Sequence, residues 1–334
     1  MFVVESYSLA IFFCIVTMLC WGSWANTQKL VRDNWRFELF YWDYVAGIFL
    51  FSLIGALTLG STGEAGRSFL DDLSQAEAAN IRSAFTGGVV FNLANILLTA
   101  AIASAGMAVA FPIGIGLALV IGVIINYTLL NKGNPLLLFA GVGLVALAIV
   151  LNALAYSYLQ RGGEKRSVGK WVGVSVLAGA LMSTFYPFVA AGMDLENFVS
   201  PTAGKMTPYT AFVVFASGIL VSNLLFNSYL MRKPLEGNPI SYRQYFRGPV
   251  KIHLVGILGG CIWGLGNLFN LIAAGKAGPA ISYGLGQGAT LVAALWGVLI
   301  WKEFKGGGRR INGLILLMFL AFLTGLGLII LAGE

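Results

Sequence analysis

Two amide side chains, Asn95 and Asn267, stand at equivalent places in two related stretches of an otherwise apolar chain. The stretch Gly259–Gly288, GGCIWGLGNLFNLIAAGKAGPAISYGLGQG, aligns without gaps on Gly87–Gly116, GGVVFNLANILLTAAIASAGMAVAFPIGIG, at an offset of 172 positions. Under that offset Gly88 meets Gly260, Asn95 meets Asn267 and Gly106 meets Gly278, while Phe91 and Phe111 meet the aromatics Trp263 and Tyr283. An amide in hydrocarbon is costly unless it finds a partner or lines a wet cavity. Each amide offers an acceptor and two donors, so the pair is suited to recognising a neutral polar solute.

Other residues join them by spacing. Trp263, Asn267 and Asn270 are four and three apart and share a helix face, and Tyr283 and Gln287, four apart, share the next. Trp21, Trp24 and Gln28 form a third stripe, whose indoles are able to stack on a sugar ring or a flat heterocycle. The candidate solute-binding residues are therefore Trp21, Trp24, Gln28, Asn92, Asn95, Trp263, Asn267, Asn270, Tyr283 and Gln287. For each the competing role is packing, since interhelical amide bonds hold bundles together by about 0.6 kcal/mol apiece and Trp also marks membrane interfaces. Asn126, Asn223 and Asn227 read as structural.

Carboxylates are scarce in the apolar runs. Asp43, in Phe40-Tyr41-Trp42-Asp43-Tyr44 at the start of the second span, is a candidate site for a coupling proton. A first-turn Asp also favours the positive end of a helix, and Arg36 is near in sequence. Glu5, at the entrance of the first span, has the same two readings. Cys14, Cys20 and Cys261 lie in apolar runs without metal spacing, and the single histidine, His253, has no ligand residues beside it, so no metal site is expected. Gly306-Gly307-Gly308-Arg309-Arg310 lacks the GxxxxGK[ST] pattern, and there is no GxSxG or HExxH. Neither a nucleotide site, an enzyme nor a cofactor is expected; the driving force would be a proton or sodium gradient.

Membrane helices must position these groups. Of 334 residues 58% are hydrophobic and 10% charged, and the mean hydropathy is +0.82, whereas a soluble domain is about a quarter charged. The expected fold is an all-α polytopic membrane protein with ten transmembrane helices. The spans are Tyr7–Thr27, Leu39–Gly60, Ser83–Ser104, Met107–Leu130, Pro135–Tyr158, Gly169–Gly192, Pro208–Met231, Ile252–Ala274, Ala277–Trp301 and Ile311–Leu331. With Glu5 and no basic residue before it, the first is not a cleaved signal peptide.

Sixteen of the 21 lysines and arginines fall in one set of alternate loops: Lys29, Arg32 and Arg36; Arg161, Lys165, Arg166 and Lys170; Arg232, Lys233, Arg243, Arg247 and Lys251; Lys302, Lys305, Arg309 and Arg310. The other set holds Arg67, Arg82, Lys132, Lys205 and Lys276. By the positive-inside rule the first set is cytoplasmic and both termini face outward, with the acidic residues Glu64, Asp71, Asp72, Glu77, Asp194 and Glu196 outside. This pattern explains the net charge of +7 without a nucleic-acid partner.

Gly87 lies in the third span and Gly259 in the eighth, so a five-helix unit is repeated: 1–160, a cytoplasmic linker 161–168, and 169–334. An odd number of spans inverts the second copy. The fold expected is thus a 5+5 inverted repeat, with a midplane cavity lined by spans one, three, four, eight and nine. Gly284, Gly286 and Gly288 predict an easily distorted helix around Gln287, and Pro112 plays the same part in the first copy.

Several short motifs resemble the ureide permease family of the drug/metabolite transporter superfamily: Phe2-Val3-Val4-Glu5-Ser6, Gly22-Ser23-Trp24, Asp43-Tyr44, Pro208-Tyr209-Thr210-Ala211-Phe212, Gly264-Leu265-Gly266-Asn267, Trp296-Gly297-Val298 and Lys302-Glu303. Related families are the bacterial rhamnose–proton symporters and the glucose/ribose porters. The resemblance implies proton-coupled uptake of allantoin-like ureides or nucleobases, or of monosaccharides as in bacterial branches. Plant members carry a long central loop, whereas here only Gln160 to Gly169 joins the halves, which points to a bacterial member in an inner membrane. The function expected is a secondary active importer of a small neutral polar solute working by alternating access, its partners being that solute and the bilayer. Export of drugs or metabolites and a non-transporting scaffold or receptor are the alternatives.

Overall fold

The computed structural model describes residues 1–31, 34–130, 133–160 and 168–333. Arg32, Lys132 and residues 161–167 of the expected linker, with Arg161, Lys165 and Arg166, lie outside the described residues. Among the described residues there is no β-strand, only an isolated bridge between Met193 and Met206.

Among the described residues ten helices are long and apolar enough to cross a membrane. The first span is α1 (Tyr7–Ser23) continued by α2 (Ala25–Val31). α1 opens on Ser6, whose hydroxyl accepts the N–H of Leu9. There follow α3 (Phe37–Leu57), the short α4 (Phe69–Gln75), α5 (Ala78–Ala105), α6 (Met107–Leu130), α7 (Pro135–Gln160) and α8 (Val168–Ala191). α9 (Pro208–Arg232) is capped by Thr207 and has proline in its first turn, where no N–H is needed. The short α10 (Tyr242–Phe246) precedes α11 (Val250–Ala277). The ninth span is α12 (Pro279–Gln287), α13 (Ala289–Leu295) and a π-helical turn, Trp296–Ile300; α14 (Arg309–Leu331) is the tenth. The third span begins at Ala78 rather than Ser83. α4 and α10 are too short and polar for hydropathy to reveal. The distortion expected around Gln287 is a break: at Gly288 the chain turns, its N–H shared by the carbonyls of Gly284 and Leu285 at 3.1 and 3.0 Å. Pro112, by contrast, sits inside a continuous α6.

The helices of the two related stretches keep the 172-residue offset to their ends. α5 and α11 each have 28 residues, and each stops at a glycine, Gly106 (φ 88°, ψ 163°) or Gly278 (φ 81°, ψ 157°). Only glycine takes that backbone without strain. Two close crossings are also alike. α3 packs on α11, where a side chain on Gly260 would stand 2.0 Å from the carbonyl oxygen of Tyr44; α9 packs on α5, where one on Gly88 would stand 2.0 Å from that of Phe215. Bare glycine faces let the backbones touch, which is how helices gain packing energy where lipid offers no hydrophobic drive.

Candidate functional site

In the middle of the bundle the first, third, fourth, sixth, eighth and ninth spans enclose a cavity of about 20 Å³, room for about one water. Its aromatic wall is Trp21, Trp24, Phe91, Phe111, Phe185 and Trp263, and its polar lining is Asn95 and Gln287. Among the described residues no charged side chain lines it. Trp21 and Trp263 lie parallel (interplanar angle 8°, centroids 5.6 Å apart), and the Trp21 indole N–H donates to the Trp263 carbonyl at 3.3 Å. Phe91 and Trp263, the matched aromatics of the two stretches, meet with ring centroids 4.5 Å apart. Such a wall presents flat faces to a ring, while the two amides supply direction.

Of the ten sequence candidates, Trp21, Trp24, Asn95, Trp263 and Gln287 line this cavity. The rest are buried close by, and all of them but Asn267 tie helices together. Asn92 joins three helices, accepting from the Tyr41 hydroxyl at 3.0 Å and donating to Ser222 Oγ at 2.9 Å. The same hydroxyl receives the Asn95 amide at 3.3 Å. Gln28 donates to the Thr99 carbonyl at 3.2 Å, Asn270 to that of Ser282 at 2.6 Å, and the Tyr283 hydroxyl to that of Met182 at 3.0 Å. Three polar atoms of the sequence candidates are buried without a partner: Gln28 Oε1, Asn267 Nδ2 and Asn270 Oδ1. A buried unsatisfied group costs about 1–3 kcal/mol, so they are unspent hydrogen-bonding capacity beside the cavity. The sixth span, through Met182 and Phe185, joins the lining although the sequence pointed to five spans only; its residues there are apolar and give no polar anomaly to follow.

Both ends of the bundle are tied across. At the end where α3 and α11 begin, Asp43 is 2% exposed and accepts the Tyr245 hydroxyl of α10 at 2.6 Å. Nδ1 of His253 lies 2.9 Å from both Asp43 oxygens. Gly256, on the next turn of α11, makes room for Asp43, since a side chain there would stand 2.4 Å from its Cβ. Tyr245 lies outside the spans; burial, its hydrogen bond to Asp43 and the carboxylate charge push its phenol well above the usual range, so it stays a donor. Arg36 pairs with Glu38, not with Asp43, and also reaches the carbonyls of Glu236 and Asn238. Glu38, also on α3, is a second carboxylate within that span and is fully buried. Lys29 pairs with Glu303. The partnership of His253 with Asp43 had no sequence signal beyond a lone histidine at the end of an apolar run.

At the opposite end Arg67 donates to Asp72 at 2.8 Å and to the carbonyls of Pro201 and Lys205 at 2.7 and 2.6 Å. Asp72, fully buried, accepts the Thr207 N–H at 2.7 Å. Glu5 is exposed just ahead of α1.

A helical bundle tied at both ends around an uncharged aromatic and amide cavity has the form of a membrane transporter for small solutes. The sequence pattern of the ureide permeases matches residues 40–166 and 160–332, and the chain belongs to the ureide permease family. It is 25% identical to ureide permease 1 of Arabidopsis thaliana over 98% of each chain, and 25% identical to ureide permease 5 of that plant over 100% of this chain and 96% of the other. A Streptococcus pyogenes serotype M1 protein named for sugar uptake is 26% identical over 66% of this chain and 68% of its own. One solved crystal structure superposes with a TM-score of 0.57 at 15% identity, covering 96% of both chains, and shares the fold. The family consists of permeases, not enzymes.

Proposed function

We propose that the chain imports one small neutral polar solute, a ureide or nucleobase-type ring or a monosaccharide, across a bacterial inner membrane by alternating access. The observation that carries this reading is the uncharged cavity of aromatic rings and amides midway between two tied ends. Relatives named for ureides and for sugar uptake support the same solute range. The offset that α5 and α11 keep to their ends, with the paired glycine crossings, supports a 5+5 inverted repeat whose halves exchange which end is tied. The unpartnered amide atoms of Asn267, Asn270 and Gln28 would then meet the solute or its water once the wall parts. Coupling to protons is assigned to Asp43, because it is buried within a span without an arginine or lysine partner among the described residues, whereas Glu38 pairs with Arg36 and Glu5 is exposed. Both termini are placed outside by the charge count.

Purified protein is to be screened for thermal shift with allantoin, uracil, rhamnose and glucose, then tested for uptake into vesicles under a proton or a sodium gradient. Saturable binding and gradient-driven uptake of one of these is expected. Response to apolar cations instead would make the chain an exporter. Asp43→Asn, which keeps the shape and removes the titration, should lose uphill accumulation and keep solute binding; accumulation by that variant would move the coupling site, with Glu5 next. A cysteine placed before Glu5 should react with an impermeant reagent in intact cells, and labelling only after lysis would invert the topology.

A further inference from the structure

The cluster at the Asp43 end holds more than a carboxylate. Three separate pieces of chain converge on it: Asp43 from α3, Tyr245 from α10, and His253 from the first turn of α11. The imidazole is wedged edge-on between Tyr245 (centroids 4.8 Å apart) and Trp35 (5.3 Å apart). This fixes the ring with Nδ1 on Asp43 and Nε2 on the other side, toward Gly248 in the α10–α11 connection, where an added side chain would stand 2.7 Å from that nitrogen. The His253 side chain is 20% exposed while that of Asp43 is 3% exposed, so the histidine is the member of the pair that meets solution.

The other charged groups near Asp43 are accounted for. Arg36 and Glu38, on its own first turn, pair with each other. α9 brings Asn227 to the Glu38 carbonyl and Met231 to the Trp42 indole, neither of them charged. Arg247 and Lys251 flank the histidine in sequence, but among the described residues no lysine or arginine pairs with Asp43. Whether the cluster holds a balancing cation is thus decided at His253.

We infer that His253 is a proton-binding site that controls this end of the bundle: a proton taken from solution onto Nε2 turns its hydrogen bond with Asp43 into an ion pair and clamps α10 and α11 to α3, and loss of that proton loosens the clamp. Only one bond changes, the new Nε2–H, because Nδ1–H already donates to Asp43 in the neutral ring. With Asp43 ionised, its carboxylate then faces an imidazolium instead of two neutral donors, and charge-assisted bonds are about twice as strong as neutral ones. Acid therefore holds this end shut and alkali frees it. The inference rests on the transporter reading only for what the freed end would release; the proton site itself is independent of it.

The test is amide hydrogen exchange of the full-length protein in lipid nanodiscs, followed from about pH 5.5 to about pH 8 and corrected for intrinsic rates. In the segment 242–253 opening should increase about tenfold over that range, the scale of one charge-assisted bond over a neutral one. His253→Gln keeps a donor without the titration, so it should exchange at the high-pH level throughout. Tyr245→Phe should raise exchange at every pH and keep the step. A step that survives in His253→Gln, or its absence from the natural protein, overturns the site. Since no solute is added, a chain that moves none of the panel above but shows the step loses the transport reading and keeps the proton site. Transport without the step does the reverse.

Discussion

The two ends of the bundle are closed by different chemistry. At one, Arg67, Asp72 and the Thr207 N–H form a fixed-charge knot in which the carboxylate is fully buried and the cation keeps its proton at any physiological pH. At the other, the buried carboxylate of Asp43 is held by a phenol and an imidazole, with no arginine or lysine among the described residues paired to it. A protein that must open one end while the other stays shut gains from such inequality. Two identical knots would respond alike to every condition, whereas the proton site inferred at His253 would let only one of these respond to pH.

The comparison is most sharply broken at Asp72. Asp72→Ala leaves the buried Thr207 N–H without its acceptor and Arg67, 24% exposed, with only its carbonyl partners, a loss of about 1–3 kcal/mol. Thermal unfolding should fall well below that of Asp43→Asn, where both donors retain an uncharged oxygen. Equal losses at the two residues would mean that the ends are not built differently. The second expectation concerns pH. Exchange in 242–253 should change about tenfold across neutrality, while exchange in 67–75 and 200–207 stays level once intrinsic rates are removed. Parallel changes at both ends would point to a global loosening.

Between the ends, Asn95 borders the cavity and its counterpart Asn267 lies buried with its amide nitrogen unpartnered. If each reaches the solute from its own half, Asn95→Ala and Asn267→Ala should each weaken binding by about 0.5–1.5 kcal/mol in titration calorimetry. Unchanged affinity with a lowered unfolding temperature would make either residue a strut. The smallest effect belongs to Asp194, in the α8–α9 connection. Burial works to raise its carboxyl, but hydrogen bonds from the Thr202 N–H and hydroxyl and from the N–H groups of Asn197 and Glu196 outweigh it and hold the group below the usual range. A carboxyl lowered on folding stabilises the loop above its ordinary value of about 3.9, and that stability is lost as pH falls through the lower folded value. Local exchange at 194–202 should therefore be flat near neutrality and rise only in strong acid, and Asp194→Asn should remove the acid step.

The ten spans were legible because each is a long apolar run, and the glycine ends of α5 and α11 because Gly106 and Gly278 align under the offset. Periodicity also put Trp21, Trp24 and Trp263 on inward faces. It could not tell which amides meet the cavity and which meet a neighbouring helix, because that depends on rotation within the bundle. Gln28, Asn92 and Asn270 are satisfied in part by carbonyls or hydroxyls that sequence does not bring near them. The short α4 and α10 carry no hydropathy signal, yet they deliver Asp72 and Tyr245. Asp43 and His253 are 210 positions apart, and only the packing of α3 on α11 through Gly256 makes them neighbours.

The cavity of about 20 Å³ has a consequence for how affinity should be read. A sugar or a nucleobase needs several times that space, so on the reading proposed above the wall must part before such a solute settles. Measured affinity is then the intrinsic affinity multiplied by the fraction of molecules whose wall has already parted. A substitution that hollows the wall, such as Met182→Ala, raises that fraction while removing contacts, and tighter binding by a smaller side chain becomes an ordinary outcome. Affinity across a set of wall variants therefore reports how readily the site widens at least as much as how well each residue touches its cargo.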